Sequence, residues 1–349
     1  MRNPFSLLRK NIGIDLGTSN TLIYLSGRGI VLNESTMAAI NSKTGKLVAV
    51  GTEAKNMLGR TPLHITVVRP LAGGVISDFE MTEEMLKHML RQLSATGPFQ
   101  YYQNAVVGVP SDLTEVERKS VEDAILGAGV SKTYVVESAV AAALGARLPV
   151  TEPVANMIID IGGGTTEIAI ISMGGAVTIK SIKTAGDKLD EDIMKFVKEE
   201  FHLAIGEPTA EELKLELGSA IPLDDKLEMA VRGRDLATGL PKEIMLKDGH
   251  IRTAIAKSLK NITDAVKEVV EVSPPELVGD LLQRGVHLCG GGSLLRGIDQ
   301  LIGKELAANV TTVDDPLTCV ARGTGLAVEN LDLYENILDN PLKPKDIKL

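Results

Sequence analysis

Two short stretches constrain this chain more than any bulk property. "GIDLGTSN" at residues 13–20 and "DIGGGTTE" at residues 160–167 each end an apolar run with an acid, then place glycines and hydroxyls in a row. A strand that leads into a turn without Cβ atoms exposes several backbone N–H groups together, and such a concavity binds anions. Hydroxyls at Thr18, Ser19, Thr165 and Thr166 add donors. The acids are the informative part. Asp15 or Asp160 alone would repel a phosphate, so each makes sense only with a cation in between. Mg2+ suits this role because it keeps several waters and is held by one or two carboxylates together with phosphates. One glycine turn is ambiguous, since most such turns only join hairpin strands. Two matching turns describe a clamp closing on one nucleotide from both sides. A third glycine run, "LCGGGSLLRG" at 288–297, reads as a strand leading into a helix start, where a ligand can meet backbone N–H groups. Neither G-x-x-x-x-G-K-[ST] nor a well-placed G-x-G-x-x-G is present, so P-loop and Rossmann folds are excluded.

The two acid-bearing turns lie about 145 positions apart, too far for a solenoid repeat, and read as one unit used twice. A length of 349 residues accommodates two compact units. Alternation and β-branched clusters predict strands at 11–16, 21–25, 29–32, 105–109, 133–136, 157–161, 167–172 and 176–182. Helix starts are predicted at Thr82, at Thr114 with Glu117 and at Thr209 with Glu212, and long helices at 187–202 and 251–271, the latter ending before Pro274-Pro275. Strands alternating with helices predict an α/β fold of mixed sheets covered by helices. The pattern loosens at 33–67 and 186–248, which read as a smaller insertion in each half, and the tail "NPLKPKDIKL" reads as disordered.

Aromatic residues make up only 3% and Trp is absent, so the cores must be aliphatic. The formal net charge of -9 argues against a nucleic-acid partner, which needs a basic footprint. Cys289 and Cys319 have neither disulfide-framework nor metal-ligand spacing and read as buried thiols. No apolar run approaches the ~20 residues that span a bilayer, and "MRNPFSLLRK" lacks a secretory apolar region, so a cytoplasmic protein is expected.

These residues resemble the MreB family of bacterial actins, within the superfamily of actin, DnaK-type chaperones and sugar kinases. "GIDLGTSNTLIY" is similar to its first phosphate motif, "DIGGGTTEIAII" to the second and "LCGGGSLLRG" to the adenosine motif. "RPLAGGVISDF", "VGVPSDLTEVER", "AGDKLDEDI", "IGEPTAEELKLELG" and "VRGRDLATGLPKEI" resemble MreB rather than chaperones or kinases. The resemblance runs from about residue 13 to 329. It implies an actin-like, duplicated ribonuclease H-like fold with two lobes and four subdomains around a nucleotide cleft. Subdomain IA would hold 1–32, 68–148 and 320–349, IB 33–67, IIA 149–185 and 248–319, and IIB 186–247. It further implies that ATP or ADP and Mg2+ occupy the cleft, with Asp15 and Asp160 on the metal through waters. Gly17, Thr18, Ser19 and Asn20, with Gly162, Gly163, Gly164, Thr165 and Thr166, would cradle the phosphates, Thr165 nearest the γ-phosphate. Gly186, Lys214, Glu216, Gly290, Gly291 and Gly292 would line the nucleoside.

One departure stands out. MreB proteins usually read "EEPMAAAIGA" where this chain reads "ESAVAAALGA", and the resemblance puts Ser138 at the acid that orients the attacking water. Serine is a good helix N-cap but a poor general base. Glu137, one residue earlier on a strand, points to the opposite face. The expectation is a weak ATPase coupled to polymerisation. Self-assembly into paired protofilaments and partnership with cell-wall synthesis or shape proteins come from the resemblance alone. Membrane contact has two local candidates: the N-terminal segment, where Arg2, Arg9 and Lys10 flank Phe5, Leu7 and Leu8, and the aromatic stretch Phe99, Tyr101 and Tyr102. Together they would place the protein at the inner face of the membrane. The rival functions are a filament that positions an organelle or plasmid and a small-molecule kinase of the same superfamily.

Overall fold

The computed structural model describes residues 9–94, 101–224 and 226–338. Two five-stranded sheets form its frame, and they share one topology. In the first, Arg9–Leu16, Asn20–Leu25 and Gly29–Ser35 form an antiparallel meander. Tyr101–Val109 then runs parallel to Arg9–Leu16 on its other side, and Val130–Glu137 extends the sheet in parallel. The second sheet repeats this with the meander Asn156–Ile161, Thr166–Ser172 and Gly175–Ile182, followed by the parallel strands Val286–Cys289 and Val310–Thr312. Parallel neighbours require crossovers. Glu115–Gly127 supplies one in the first half and Ile298–Leu306 one in the second. The duplication read from the two turns is therefore a duplication of whole sheets.

All eight expected strands are present, each lengthened by one to four residues at one or both ends. The Thr114 cap forms as expected: its hydroxyl accepts from the Glu117 N–H at 3.3 Å, while Glu117 accepts from the Thr114 N–H at 2.8 Å. Two other helix starts differ. Phe79–Ser94 begins ahead of Thr82, with Asp78 accepting from the Met81 N–H at 3.0 Å, and the Thr82 hydroxyl instead donates back to the Asp78 carbonyl at 2.7 Å. Glu207–Leu217 begins after Gly206, with Pro208 in its first turn, so Thr209 lies inside it. Proline in a first turn loses no helical hydrogen bond, which is why it sets that start.

The cores are aliphatic, as the composition requires. Ile12, Ile14, Met85, Leu86 and Met89 pack under the first sheet, and Ile159, Ile168, Ile193, Ile255 and Ile262 under the second. A third core joins the two sheets around the helices Ser138–Gly145 and Cys319–Glu329. These helices cross closely because glycine stands at the contact: a methyl on Gly145 would overlap the Cys319 carbonyl, and one on Gly323 the Ala141 carbonyl. Cys289 and Cys319 are free thiols buried in this core.

Both loosened stretches carry small sheets. Ala38–Asn41 pairs with Leu47–Val50 and Ile65–Val68 beside the short helix Thr52–Met57. Leu203–Ala204, Glu228–Asp235 and Pro241–Lys247 form the other. Tyr102 corrects one expectation. It is 4% exposed in the first core, and its hydroxyl donates to the Leu90 carbonyl at 3.4 Å, so it is not available to a membrane. Phe99, the Tyr101 side chain, residues 1–8 and the tail from 339 lie outside the described residues. No helix among the described residues is long and apolar enough to cross a membrane.

Candidate functional site: a cleft between the two sheets

A cleft of about 410 Å3 opens between the halves, within the size range of small-molecule sites. The two central strands deliver Asp15 and Asp160 to its floor, each one residue before its strand ends. The turns that follow close in the same way. The Gly17 N–H donates to the Asn20 carbonyl at 3.1 Å, and the Gly162 N–H donates to the Thr165 carbonyl at 2.9 Å. The tips meet face to face. A methyl on Gly163 would overlap the Ser19 hydroxyl, and one on Gly164 the Thr18 hydroxyl, so only bare glycine lets the turns approach this closely. The Gly74 N–H donates to Thr18 Oγ1 at 3.0 Å and steadies the first turn. The helix Gly186–Phe201 steadies the second through N–H donation from Gly186 to the Gly162 carbonyl at 3.1 Å and from Asp187 to the Gly163 carbonyl at 2.8 Å.

The floor is electrostatically uncompensated. Burial, and then repulsion from Asp160, lifts the Asp15 carboxyl to about 8. Burial lifts Asp160 to about 6, partly offset by the Cys289 thiol. Glu167 stands opposite Asp160 in the strand register, and burial lifts it to about 7. Its Oε2 accepts from the Ser111 N–H at 3.2 Å and the Ser111 hydroxyl at 3.1 Å, contacts that tie the halves together beneath the cleft. Burial thus holds three carboxyls above their ordinary range, and among the described residues no basic side chain is a cause that holds them down.

The far end of the cleft is different. Gly290, Gly291 and Gly292 line it; Gly290 precedes and the other two open a 3-10 turn, Gly291–Leu294, rather than an α-helix. Leu215, Leu294 and Leu317 are more than half exposed there and give it apolar walls suited to a flat ring. Lys214 donates to Asp190 at 2.7 Å and to the Gly186 carbonyl at 3.1 Å. At the mouth, Lys55 meets Glu211 at 2.8 Å, and Arg69 pairs with Glu207 and lies 3.9 Å from Asp187.

Most of the expected site residues converge. Asp15, Gly17, Thr18, Ser19, Asn20, Asp160, Gly162, Gly163, Gly164, Thr165, Gly186, Lys214 and Gly290 to Gly292 all line the cleft. Three do not. Thr166 is buried and its hydroxyl donates to the Thr184 carbonyl at 2.8 Å, because the strand alternation turns it away from Thr165. Glu216 is exposed off the cleft: Glu207, Glu211 and Lys214 share the inner face of their helix, and Glu216 is two residues out of that phase. Ser138 lines the cleft, whereas Glu137, which precedes the helix Ser138–Gly145, does not. Lys55, Arg69, Asp187, Asp190, Glu207, Glu211 and Glu167 also line the cleft, although the sequence alone assigns none of them a site role. The spacing of Glu207, Glu211 and Lys214 was the one signal available for them in the sequence.

The profile of the MreB/Mbl protein family matches residues 9–336. The cell shape-determining protein Mbl of Bacillus subtilis is 44% identical over 326 residues, 93% of this chain and 98% of that protein. The cell shape-determining protein MreB of Escherichia coli K12 is 44% identical over 332 residues, 94% of this chain and 96% of that protein. The crystal structure of MreB5 of Spiroplasma citri bound to ADP superimposes with a TM-score of 0.88 at 39% identity, covering 94% of this chain and 98% of that one. The MamK double helical filament, at 23% identity and a TM-score of 0.78 over 92% of this chain and 99% of that one, shares the fold. With its paired sheets, facing glycine turns and near full-length match, the chain belongs to the MreB/Mbl family of actin-like proteins.

Proposed function

We propose that the chain is a bacterial actin that binds ATP and ADP with Mg2+ in this cleft and assembles into filaments organising cell-wall growth and rod shape. The observation that carries the reading is the meeting of two equivalent acid-ended turns, tip to tip, over Asp15 and Asp160. Bare backbone at both tips suits phosphate oxygens, and the apolar far end suits a purine. Solved relatives bound to ADP and AMPPNP support the ligand class, and the names of the Mbl and MreB relatives support the cellular role. The division into subdomains IA, IB, IIA and IIB belongs to the same reading.

The residues fit a divalent ion. Asp15 and Asp160 are carboxyls raised by burial, and no group of three or more ligating side chains stands together among the described residues. That donor set suits Mg2+ held through its own waters and the phosphates rather than in a protein cage. Bound there, the ion would neutralise phosphate charge. The chain's own residues do the rest: the turns orient the phosphates, and Ser138 is the cleft residue at the position where the family's motif carries an acid. A hydroxyl can orient a water but is a poor base, and general-base help is worth ~10²–10⁴ in rate. Hydrolysis in this reading is therefore slow.

Filaments would lie at the inner face of the membrane, held by the N-terminal segment and the Phe99/Tyr101 stretch and made sufficient by multivalent display. Electron microscopy of the purified protein with ATP and Mg2+, with and without anionic vesicles, tests the whole. Paired filaments on vesicles are expected. Monomers that consume ATP only with an added small-molecule acceptor would overturn the reading in favour of a kinase.

A further inference from the structure

The mouth of the cleft carries charges that the motifs do not account for. Lys55, on the helix Thr52–Met57 of the first half, lies 2.8 Å from Glu211 on the helix Glu207–Leu217 of the second. One step along, Arg69 pairs with Glu207 and approaches Asp187 at 3.9 Å, while Asp187 also accepts from the Ser19 hydroxyl at 3.3 Å. Every cation in this array comes from the first half and every anion from the second. All five charged residues line the cleft.

We propose that Lys55 and Arg69, with Glu207, Glu211 and Asp187, form a charge clamp that holds the halves closed and sets the rate at which nucleotide leaves. The inference rests on the nucleotide reading above. Each pair is about a third exposed, and an exposed pair in isolation contributes little. Arg69 faces both Glu207 and Asp187, and Glu207 and Glu211 stand one turn apart on a single helix, so the pairs bridge the same two halves at neighbouring points, as the Ser111–Glu167 hydrogen bonds do at another. A network of this kind acts on one coordinate, the opening of the mouth, so its members add along that coordinate instead of competing. The glycine tips meet between the same two halves, so the clamp bears on the contact between the turns. Because the carboxylates are partly exposed, salt screens them, and opening becomes dependent on ionic strength. A triphosphate bound beneath is itself anionic, so the cations face favourable charge on both sides and the clamp does not oppose binding.

The test is charge reversal in the full-length chain. Lys55→Glu and Glu211→Lys each place like charges across the mouth, and the double reversal restores an opposite pair in swapped order. Two readouts are needed. The first is the release rate of a fluorescent ADP analogue with Mg2+: each single reversal should raise it about fivefold to tenfold, and the double reversal should return it to within about twofold of the parent. The second is the distance between spin labels at Lys43→Cys and Thr238→Cys, on the two outer sheets, measured by pulsed electron resonance. It reports closure whether or not nucleotide binds, and it should lengthen and broaden in each single reversal and recover in the double. Release and distance unchanged in the single reversals, or a double reversal no better than either single, would overturn the clamp. Failure of the parent chain to take up nucleotide would count against the functional reading, and the label distances would still decide the clamp.

Discussion

Asp15 and Asp160 hold equivalent places in two copies of one strand-turn-strand unit, and Asp160 adds to the burial that raises the cost of ionising Asp15 across the floor of a shared cleft. Among the described residues no basic side chain enters the causes that set either carboxyl. In the proposed reading, a cation bound with phosphate is what lets both carboxyls ionise there.

The first prediction concerns pH. Asp15 is lifted from 3.8 to about 8 in the folded chain, so the folded state keeps a proton that the unfolded state releases. Stability from this group is fullest below pH ~4 and is lost as pH rises toward 8; Asp160, raised to about 6, acts in the same direction over a narrower window. The melting temperature of nucleotide-free protein should fall from pH 5 to pH 8, and Asp15→Asn should flatten that slope and stabilise the protein at pH 8. A melting temperature that rises across this range would show that the carboxyls are not penalised.

The second concerns the turn tips. Gly164→Ala places a methyl against the buried Thr18 hydroxyl and forces the turns apart, without disturbing either core. Nucleotide affinity should fall on the order of tenfold, about 1.4 kcal/mol, with little change in the far-ultraviolet spectrum. Unchanged affinity in equilibrium titration would mean that the tips need not touch.

The third concerns hydrolysis. Ser138→Glu restores a carboxylate at the cleft-lining position and should raise turnover at saturating ATP at least tenfold, whereas Glu137→Gln, which alters a residue outside the cleft, should change it less than threefold. Phosphate release measured on both variants separates these assignments. Equal or lower turnover in folded Ser138→Glu would indicate that another group already orients the water.

The fourth separates core from membrane. Tyr102→Ala should cost about 3–5 kcal/mol of stability, as expected for a buried aromatic, and any loss of vesicle binding should follow the loss of folded protein. Removing residues 1–8 should weaken binding to anionic vesicles while leaving the melting temperature within a few degrees. Co-sedimentation and thermal melts on the two variants make the comparison. Full vesicle binding without residues 1–8 would remove that segment from the account.

These predictions mark where sequence patterns were informative. Both sheets were legible because their meander strands are continuous or alternating β-branched runs, as at Asn156–Ile161, and both acids because each ends such a run. Val310–Thr312 is only three residues long, too short for a period to register. Thr166 and Glu216 show how motif and geometry part: each neighbours a cleft residue in sequence, yet the strand and helix periods turn both away. The clamp was illegible for a different reason. Lys55 and Glu211 are 156 positions apart, and only the docking of two outer segments brings them together.

The most direct measurement of the central claim is calorimetry of ATP uptake with and without Mg2+, on the parent chain and on the Asp15→Asn/Asp160→Asn double variant. Saturable uptake that requires Mg2+ and disappears in the double variant is the predicted result. Uptake of equal strength without Mg2+, or undiminished in the double variant, would contradict it.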